Sequence, residues 1–404
     1  MKIGYWLGNA NISSGGTSPY AWRLLENLLI GSKLQEIDIL IICSPEVQTD
    51  CLDLINKYQA SARICLIPSK WNIITRVISR SANLFSKLCK RFDIPSRALN
   101  YFNYLYRWVS SLDIDLLHVP YQTSPYYDLP YPLVVTMHDV QELHYPEFFT
   151  PQERASRAKH YWESLEKSSA VIVSFNHVKQ DLIKYFSLDD HKVHVCPPPY
   201  QNIQLQENAC EEESNFKNKY TKYSNFLLYP AQSWQHKNHL SLIKAIEYVK
   251  EKFDISLSLV CTGRKNPNFF PTIENYLKQS EVYNQVYFTD IVPETELYWL
   301  YKNCALVVIP TLYEAGSFPL LEAMILEVPV ICSNVTSLPE TINDSRFVFD
   351  PLDINQLADL IVQIFDDGEF RNSNVLNSKE QINKLRNSST VEYFMDVWKS
   401  ILLK

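Results

Sequence analysis

Residues 309 to 324 read Ile-Pro-Thr-Leu-Tyr-Glu-Ala-Gly-Ser-Phe-Pro-Leu-Leu-Glu-Ala-Met. An apolar run ends at Pro310 and a helical period begins near Phe318, so the segment reads as strand, loop and helix start. Ser317 is a good capping residue and Pro319 suits a first turn, which directs the amides of Ser317 and Phe318 off the helix end. Helix starts of this kind attract diphosphate. Glu314 then lies on the loop ahead of the start, and Glu322 about one turn inside the helix. Carboxylates beside a phosphate do not bind it; they accept hydrogen bonds from hydroxyls, so the pair suits sugar and ribose. Spacing alone leaves the alternative that two glutamates eight apart arise by chance in an acidic chain, with Glu322 on a solvated face.

The elements that must hold these residues alternate in type. Strands are expected at 3–7, 38–43, 63–67, 114–119, 133–137, 170–174 and 193–196, with helices at 18–29, 73–92, 97–111, 151–168 and 176–186. Pro197-Pro198-Pro199 and the polar stretch to Glu213 break the pattern. Strands then resume at 226–229, 256–261, 286–288, 305–309 and 329–332, separated by helices at 239–252, 269–279, 294–303, 318–327 and 354–365. This is the grammar of two doubly wound α/β domains, 1–200 and 201–388, with a final amphipathic helix, 389–404, expected to pack back on the first. Ligands in such folds lie outside the carboxyl ends of the strands, so a cleft between two lobes is the expected site.

The 314–322 stretch resembles the E-x7-E motif of family 4 of the retaining glycosyltransferases. The resemblance extends through Val328-Pro329-Val330-Ile331-Cys332-Ser333, Ser337-Leu338-Pro339-Glu340 and Phe349-Asp350-Pro351. It implies the GT-B fold of two Rossmann-like lobes and transfer of a sugar from a nucleotide diphosphate donor. The family form E-G-F-G-L-P-x-L-E appears here as E-A-G-S-F-P-L-L-E, so the glycine has moved to Gly316 and the backbone beside the donor differs. A second match is Tyr229-Pro230-Ala231-Gln232-Ser233-Trp234-Gln235-His236-Lys237-Asn238-His239. The family carries Arg and then Lys there, both facing the donor diphosphate. Lys237 matches the lysine, at a helix start where dipole reasoning disfavours an idle cation. Gln232 stands at the arginine position and brings no charge, so either a protonated His236 compensates or transition-state stabilisation is weaker.

In the first half, Gly15-Gly16 follows the first strand and precedes a helix. It reads as a plain turn or, by resemblance, as the glycine loop that approaches the donor phosphates. Val134-Val135-Thr136-Met137-His138-Asp139-Val140 resembles the family segment whose histidine reaches a donor-sugar hydroxyl, a role this assigns to His138; a structural histidine at a strand end is the other reading. Arg264, after Gly263, is a further candidate for the donor side. The implied chemistry is front-side displacement, with the departing phosphate oxygen accepting the proton of the incoming hydroxyl. No metal or other cofactor is expected, because no D-x-D is placed to hold one. The rivals are a donor-binding partner subunit without turnover, motivated by Gln232, and a nucleotide-sugar epimerase or phosphorylase on the same architecture.

Composition narrows the class further. The chain has 404 residues, net charge −7 and nine scattered cysteines with no C-x-x-C pair, which argues against a disulfide framework or zinc ribbon and fits a reducing cytoplasm. Residues 1–200 hold 20 Lys plus Arg against 19 acids and the remainder 18 against 26, so duplex nucleic acid is a poor partner. A true G-x-G-x-x-G is missing, which weighs against a dehydrogenase. The short apolar start is neither a signal peptide nor a span.

One local exception matters. Between Lys70 and Arg107 there are eight Lys or Arg and a single acid, Asp93. Apolar residues recur at near-helical spacing from Ile74 to Phe92, with Arg80, Lys87, Lys90 and Arg91 between them, and this reads as a basic amphipathic helix. Its bland reading is an apolar stripe packed on the first lobe with solvated charges. The functional reading is contact with an anionic membrane at the inner face of the cell membrane, or with a lipid-linked acceptor. That version predicts flotation of the protein with anionic liposomes at low salt, weakening as screening rises and abolished by charge reversal at Arg80, Lys87 and Arg91. Absence of flotation at low salt would favour a soluble sugar or glycoconjugate acceptor.

Overall fold

The computed structural model describes residues 1–10, 17–35, 37–68, 103–199, 213–223, 225–387 and 389–403. Along the described chain the order is β1 (Lys2–Gly8), α1 (Ser18–Gln35), β2 (Asp38–Cys43), α2 (Gln48–Tyr58), β3 (Ala62–Leu66), α3 (Tyr104–Ser110), β4 (Leu116–Val119) and β5 (Leu133–Thr136). Next come α4 (Gln141–His144), α5 (Pro151–Lys167), β6 (Ala170–Val173), α6 (Asn176–Phe186), β7 (Val193–Val195), α7 (Glu213–Tyr220), β8 (Leu227–Pro230), α8 (His239–Phe253) and β9 (Leu259–Thr262). The last third holds α9 (Phe270–Gln279), β10 (Val286–Asp290), α10 (Glu294–Asn303), β11 (Leu306–Ile309), α11 (Phe318–Ile325), β12 (Val330–Ser333), α12 (Leu338–Ile342), β13 (Val348–Phe349), α13 (Ile354–Asp366), α14 (Gly368–Asn387) and α15 (Thr390–Leu402). The basic segment carrying Arg80, Lys87, Lys90 and Arg91 lies outside the described residues, as do Gly15 and Gly16.

Two compact units divide the chain: Met1–Val140 with Thr150–Pro199 and Ser389–Lys404, and Gln141–Phe149 with Tyr200–Ser388. Each is built on one parallel sheet, of order β3-β2-β1-β4-β5-β6-β7 in the first and β10-β9-β8-β11-β12-β13 in the second. The inner strands are Val, Ile and Leu runs buried on both faces, which is what helices on both sides of a parallel sheet demand. In each sheet the strand order reverses beside the first strand, between β1 and β4 and between β8 and β11. Loops part at such a reversal and leave a crevice at the carboxyl ends of the strands.

A boundary drawn at residue 200 misses one exchange. Gln141–Phe149 belongs to the second unit, because Tyr145 donates its hydroxyl to Leu312 O at 3.0 Å, stacks on Phe148 and meets Tyr313 edge-on. The terminal helix α15 packs on the first unit through Val391, Phe394 and Trp398. Val391 sits where α1 has Gly31, whose added Cβ would come within 2.8 Å of the Val391 Cγ1.

Under α15 lies a buried histidine. His118 of β4 has no exposed surface; its Nε2 is 3.1 Å from Thr136 Oγ1 and its ring stacks on Phe394. Burial pushes His118 down to about 3, and burial with the Lys237 charge does the same to His239 in the second unit. Unfolding returns both to the ordinary value of roughly 6.5, so below that pH the unfolded chain binds more protons than the folded one. Their contribution is therefore complete above about pH 6.5 and is lost as pH falls towards about 3. Urea unfolding across that range is expected to show falling stability, with a shallower slope in His118→Gln. An identical slope in the variant would show that other groups carry the acid response.

Candidate functional site

The chemistry-bearing side chains of the second unit stand on the loops that leave β8, β9 and β11. After β8 the backbone passes Gln232, exposed, whose Oε1 accepts the Trp234 indole N–H at 3.0 Å. Ser233 is buried, and its N–H reaches Arg264 O at 3.2 Å while its hydroxyl accepts from Asn266 N at 2.7 Å. That approach requires glycine at 263, since φ there is 109° and a Cβ would lie 2.8 Å from the Ala231 carbonyl carbon. Arg264, exposed, is thereby held on the loop beside Gln232.

Gln235–Lys237 forms one 3-10 turn, and Asn238 follows it in the left-handed region, φ 59°. The Asn238 amide donates to Pro310 O at 2.9 Å and to Pro351 O at 3.0 Å. Tyr229 donates its hydroxyl to Lys237 O at 2.8 Å, and Leu312 N–H donates to His236 O at 2.7 Å. Fixed from both sides, Lys237 places Nζ 2.5 Å from Glu314 Oε2, with the two side chains only 19% and 14% exposed. Two of the residues expected to do chemistry thus form one ion pair across the β8 and β11 loops.

Glu314 is itself fastened. Its N–H donates to Thr336 Oγ1 at 3.1 Å and its carbonyl accepts from Ser337 Oγ at 3.0 Å. Beyond it Gly316 is partly exposed, Ser317 is buried and caps α11 by accepting Leu320 N–H, Pro319 sits in the first turn, and Phe318 opens the helix. One turn in, Glu322 Oε2 accepts the Tyr301 hydroxyl at 2.8 Å. Tyr301 is fully buried in α10, so Glu322 is an anchored carboxylate and not a solvated one on a helix face.

Burial first, then the Lys237 charge, push His236 down to about 3, so its imidazole is neutral at pH 7. Its ring lies 6.3 Å from Phe148. In the first unit, His138 follows β5, with Nε2 3.1 Å from Pro120 O and its ring edge-on to Tyr20. A carbonyl partner assigns the proton to Nε2 and leaves Nδ1 as the acceptor of a neutral ring; burial lowers this histidine too.

Thr336, Tyr301, Asn238 and Trp234 were not legible as site residues. Their parts come from contacts far apart in sequence. Asn238 alone carried a local signal, as an asparagine set between a 3-10 turn and a helix where αL is favoured.

The model described as Glycosyl transferases group 1 matches residues 211–381, and that described as Glycosyltransferase Family 4 matches residues 76–201. The chain belongs to glycosyltransferase family 4. Its two parallel-sheet units have the GT-B fold. O-antigen chain mannosyltransferase B of Escherichia coli is 24% identical over 254 residues, 61% of this chain and 66% of the relative. The serotype-specific mannosyltransferase WbdA of Escherichia coli is 26% identical over 210 residues, 51% of this chain and 25% of the relative. The matches thus span less than two thirds of either relative. Among solved structures, HepE of Anabaena in complex with UDP and glucose superposes with a TM-score of 0.64 at 14% identity, covering 99% of this chain and 100% of that one.

Within this family 4 chain, Asn238 supports a definite expectation. Asn238→Ala removes two hydrogen bonds that join three loops and strains a positive φ, so unfolding free energy should fall by about 2 kcal/mol. Asn238→Gly, which tolerates the φ, should lose less. Equal losses in urea titrations would show that the amide bridges alone hold the loop.

Proposed function

We propose that this chain transfers a sugar from a UDP- or GDP-linked donor to an acceptor hydroxyl with retention of configuration and without a metal, in polysaccharide or glycoconjugate assembly. The observation that carries it is the Lys237–Glu314 pair, held at the strand reversal beside the Ser317-capped start of α11. The mannosyltransferase names of the relatives make a mannosyl group the first sugar to test and bacterial surface polysaccharide the first setting. In this reading the protein works in the cytoplasm, at the membrane surface when its acceptor is lipid-linked. Among the described residues no helix is long and apolar enough to cross a membrane.

Lys237 supplies positive charge to the departing diphosphate, together with the α11 start near Gly316, Ser317 and Phe318. Glu314, already in contact with that ammonium, accepts a donor-sugar hydroxyl; Glu322, anchored by Tyr301, accepts from the ribose. Gln232, neutral His236 and Arg264 offer hydrogen bonds and one further cation to the phosphates. His138 takes a sugar hydroxyl through Nδ1. The leaving phosphate oxygen receives the proton of the attacking hydroxyl, so the new glycosidic bond forms on the face the nucleotide leaves.

Lys237→Ala should lower kcat/KM by about 2 to 4 kcal/mol of transition-state stabilisation, roughly 30-fold or more. Glu322→Ala should weaken binding of free UDP or GDP, whereas Glu314→Ala should spare it and damage transfer. A drop below about tenfold for Lys237→Ala would put the essential cation elsewhere. Complete loss of activity in chelator would overturn the metal-free mechanism. Donor binding without acceptor-dependent release of nucleoside diphosphate would favour the non-catalytic subunit.

A further inference from the structure

A concavity of mixed polar and apolar lining lies in the first unit, along the free edge of its sheet. β7 closes the strand order, with α6 packed into the core on one face and α15 into the core on the other. Between these helices the edge leaves a groove of about 580 Å³. Its floor is Val193, Val195 and Cys196. One wall is the outward stripe of α15, Tyr393, Asp396 and Ser400, spaced three and four residues apart and opposite the buried Phe394 and Trp398. The other wall is Asn176, Lys179 and Gln180 of α6, with Asp190 and His194 at its ends.

The lining selects among ligand classes. Lys179 is already paired with Asp190 at 2.9 Å, and Asp396 adds a second carboxylate, so beside His191 and His194 phosphate and other anions find no unpaired lysine or arginine in the lining. A wholly apolar ligand would cover Val193, Val195, Cys196 and Val397 but would also bury the polar side chains of both walls without partners. An added peptide strand meets an edge three residues long that runs into Pro197-Pro198-Pro199, which lack N–H groups. What remains is a ligand with one apolar face and many hydroxyls. Tyr393, 49% exposed at the rim, offers an aromatic face, while amides and carboxylates from two helices offer paired donors and acceptors.

From this we infer that the α6–β7–α15 groove of the first unit binds a neutral oligosaccharide. Its role rests on the transferase reading: a growing glycan held at a subsite of its own keeps a long acceptor on the enzyme between transfers. Binding itself does not require turnover.

The test uses the full chain and titrates α-mannotriose, maltotriose and, as charge control, inorganic phosphate, followed by saturation-transfer NMR and calorimetry. At least one trisaccharide should bind at about 10 mM or below, and phosphate should give no signal that Tyr393→Ala alters. Tyr393→Ala and, independently, Asn176→Ala with Gln180→Ala should each weaken the trisaccharide at least tenfold. Both variants should keep the wild-type circular dichroism spectrum, and Lys237→Ala should bind the trisaccharide as wild type does. Silence of both trisaccharides, unchanged affinity in both groove variants, or loss of binding in Lys237→Ala would overturn the assignment. Concentration-dependent self-association abolished by Tyr393→Ala would overturn it in favour of a second copy of the chain. A protein that transfers no sugar yet binds the trisaccharide through Tyr393 would sink the transferase reading and leave the groove standing.

Discussion

A single carboxamide holds the second unit's site in register. Asn238 Nδ2 has two N–H bonds to give, and it gives one to Pro310 O and one to Pro351 O, while Oδ1 accepts from Ser241 at 2.8 Å. The amide leaves no donor unused and reaches from the β8 loop to those after β11 and β13. Its positive φ reverses the chain between the 3-10 turn and α8, so the residue before it faces the β11 loop while the residue after it enters the core. Lys237 and His239, two residues apart, therefore live in opposite surroundings: one part of an ion pair at the loop ends, the other fully buried against Tyr229 and Phe288. Without that reversal neither the lysine nor the neutral histidine has a place.

Both sheets were legible because parallel strands buried on two faces must be continuous apolar runs, and these stand out from amphipathic helices in a chain with few glycines. What escaped was structure specified by polar contacts. α14 has no broad apolar stripe; it buries Asn374 and Ser378, and Asn374 bonds Val330 through both its oxygen and its nitrogen, acting as a strand edge would. Apolar periodicity does not reveal a helix held in that way. β13 is two residues long and gains its definition from β12. Gln141–Phe149 failed for another reason: nothing local distinguishes a Tyr-Pro-Glu-Phe turn that packs on its own unit from one that packs on the other.

The candidate site divides along the same line. Glu314, Ser317, Glu322 and Lys237 lie in two continuous stretches whose strand–loop–helix pattern is written locally, so their neighbourhood followed from sequence. The partners that set their orientation did not. Thr336 and Ser337 clamp the Glu314 backbone, and Tyr301 comes from a helix 21 residues upstream of Glu322. A spacing of eight names two carboxylates without saying that one is paired to an ammonium and the other to a phenol.

Charge balance on the β8 and β11 loops turns on Gln232. Where the family places a guanidinium, this chain has an amide that accepts the Trp234 N–H, and the histidine nearby is held neutral by burial and by Lys237 itself. Lys237 is also half-committed, because Glu314 sits 2.5 Å from it and any anion that approaches the ammonium competes with that carboxylate. The β8 loop alone thus brings one cation and meets one anion. The β9 loop comes close beside it: the Ser233 N–H donates to Arg264 O at 3.2 Å, and Gly263 lets the backbone pass against Ala231 and Gln232, so the backbone of Arg264 is held next to the β8 loop. A loop fixed beforehand by backbone contacts needs no reordering when a ligand arrives, which is the condition under which preorganised polar groups contribute most.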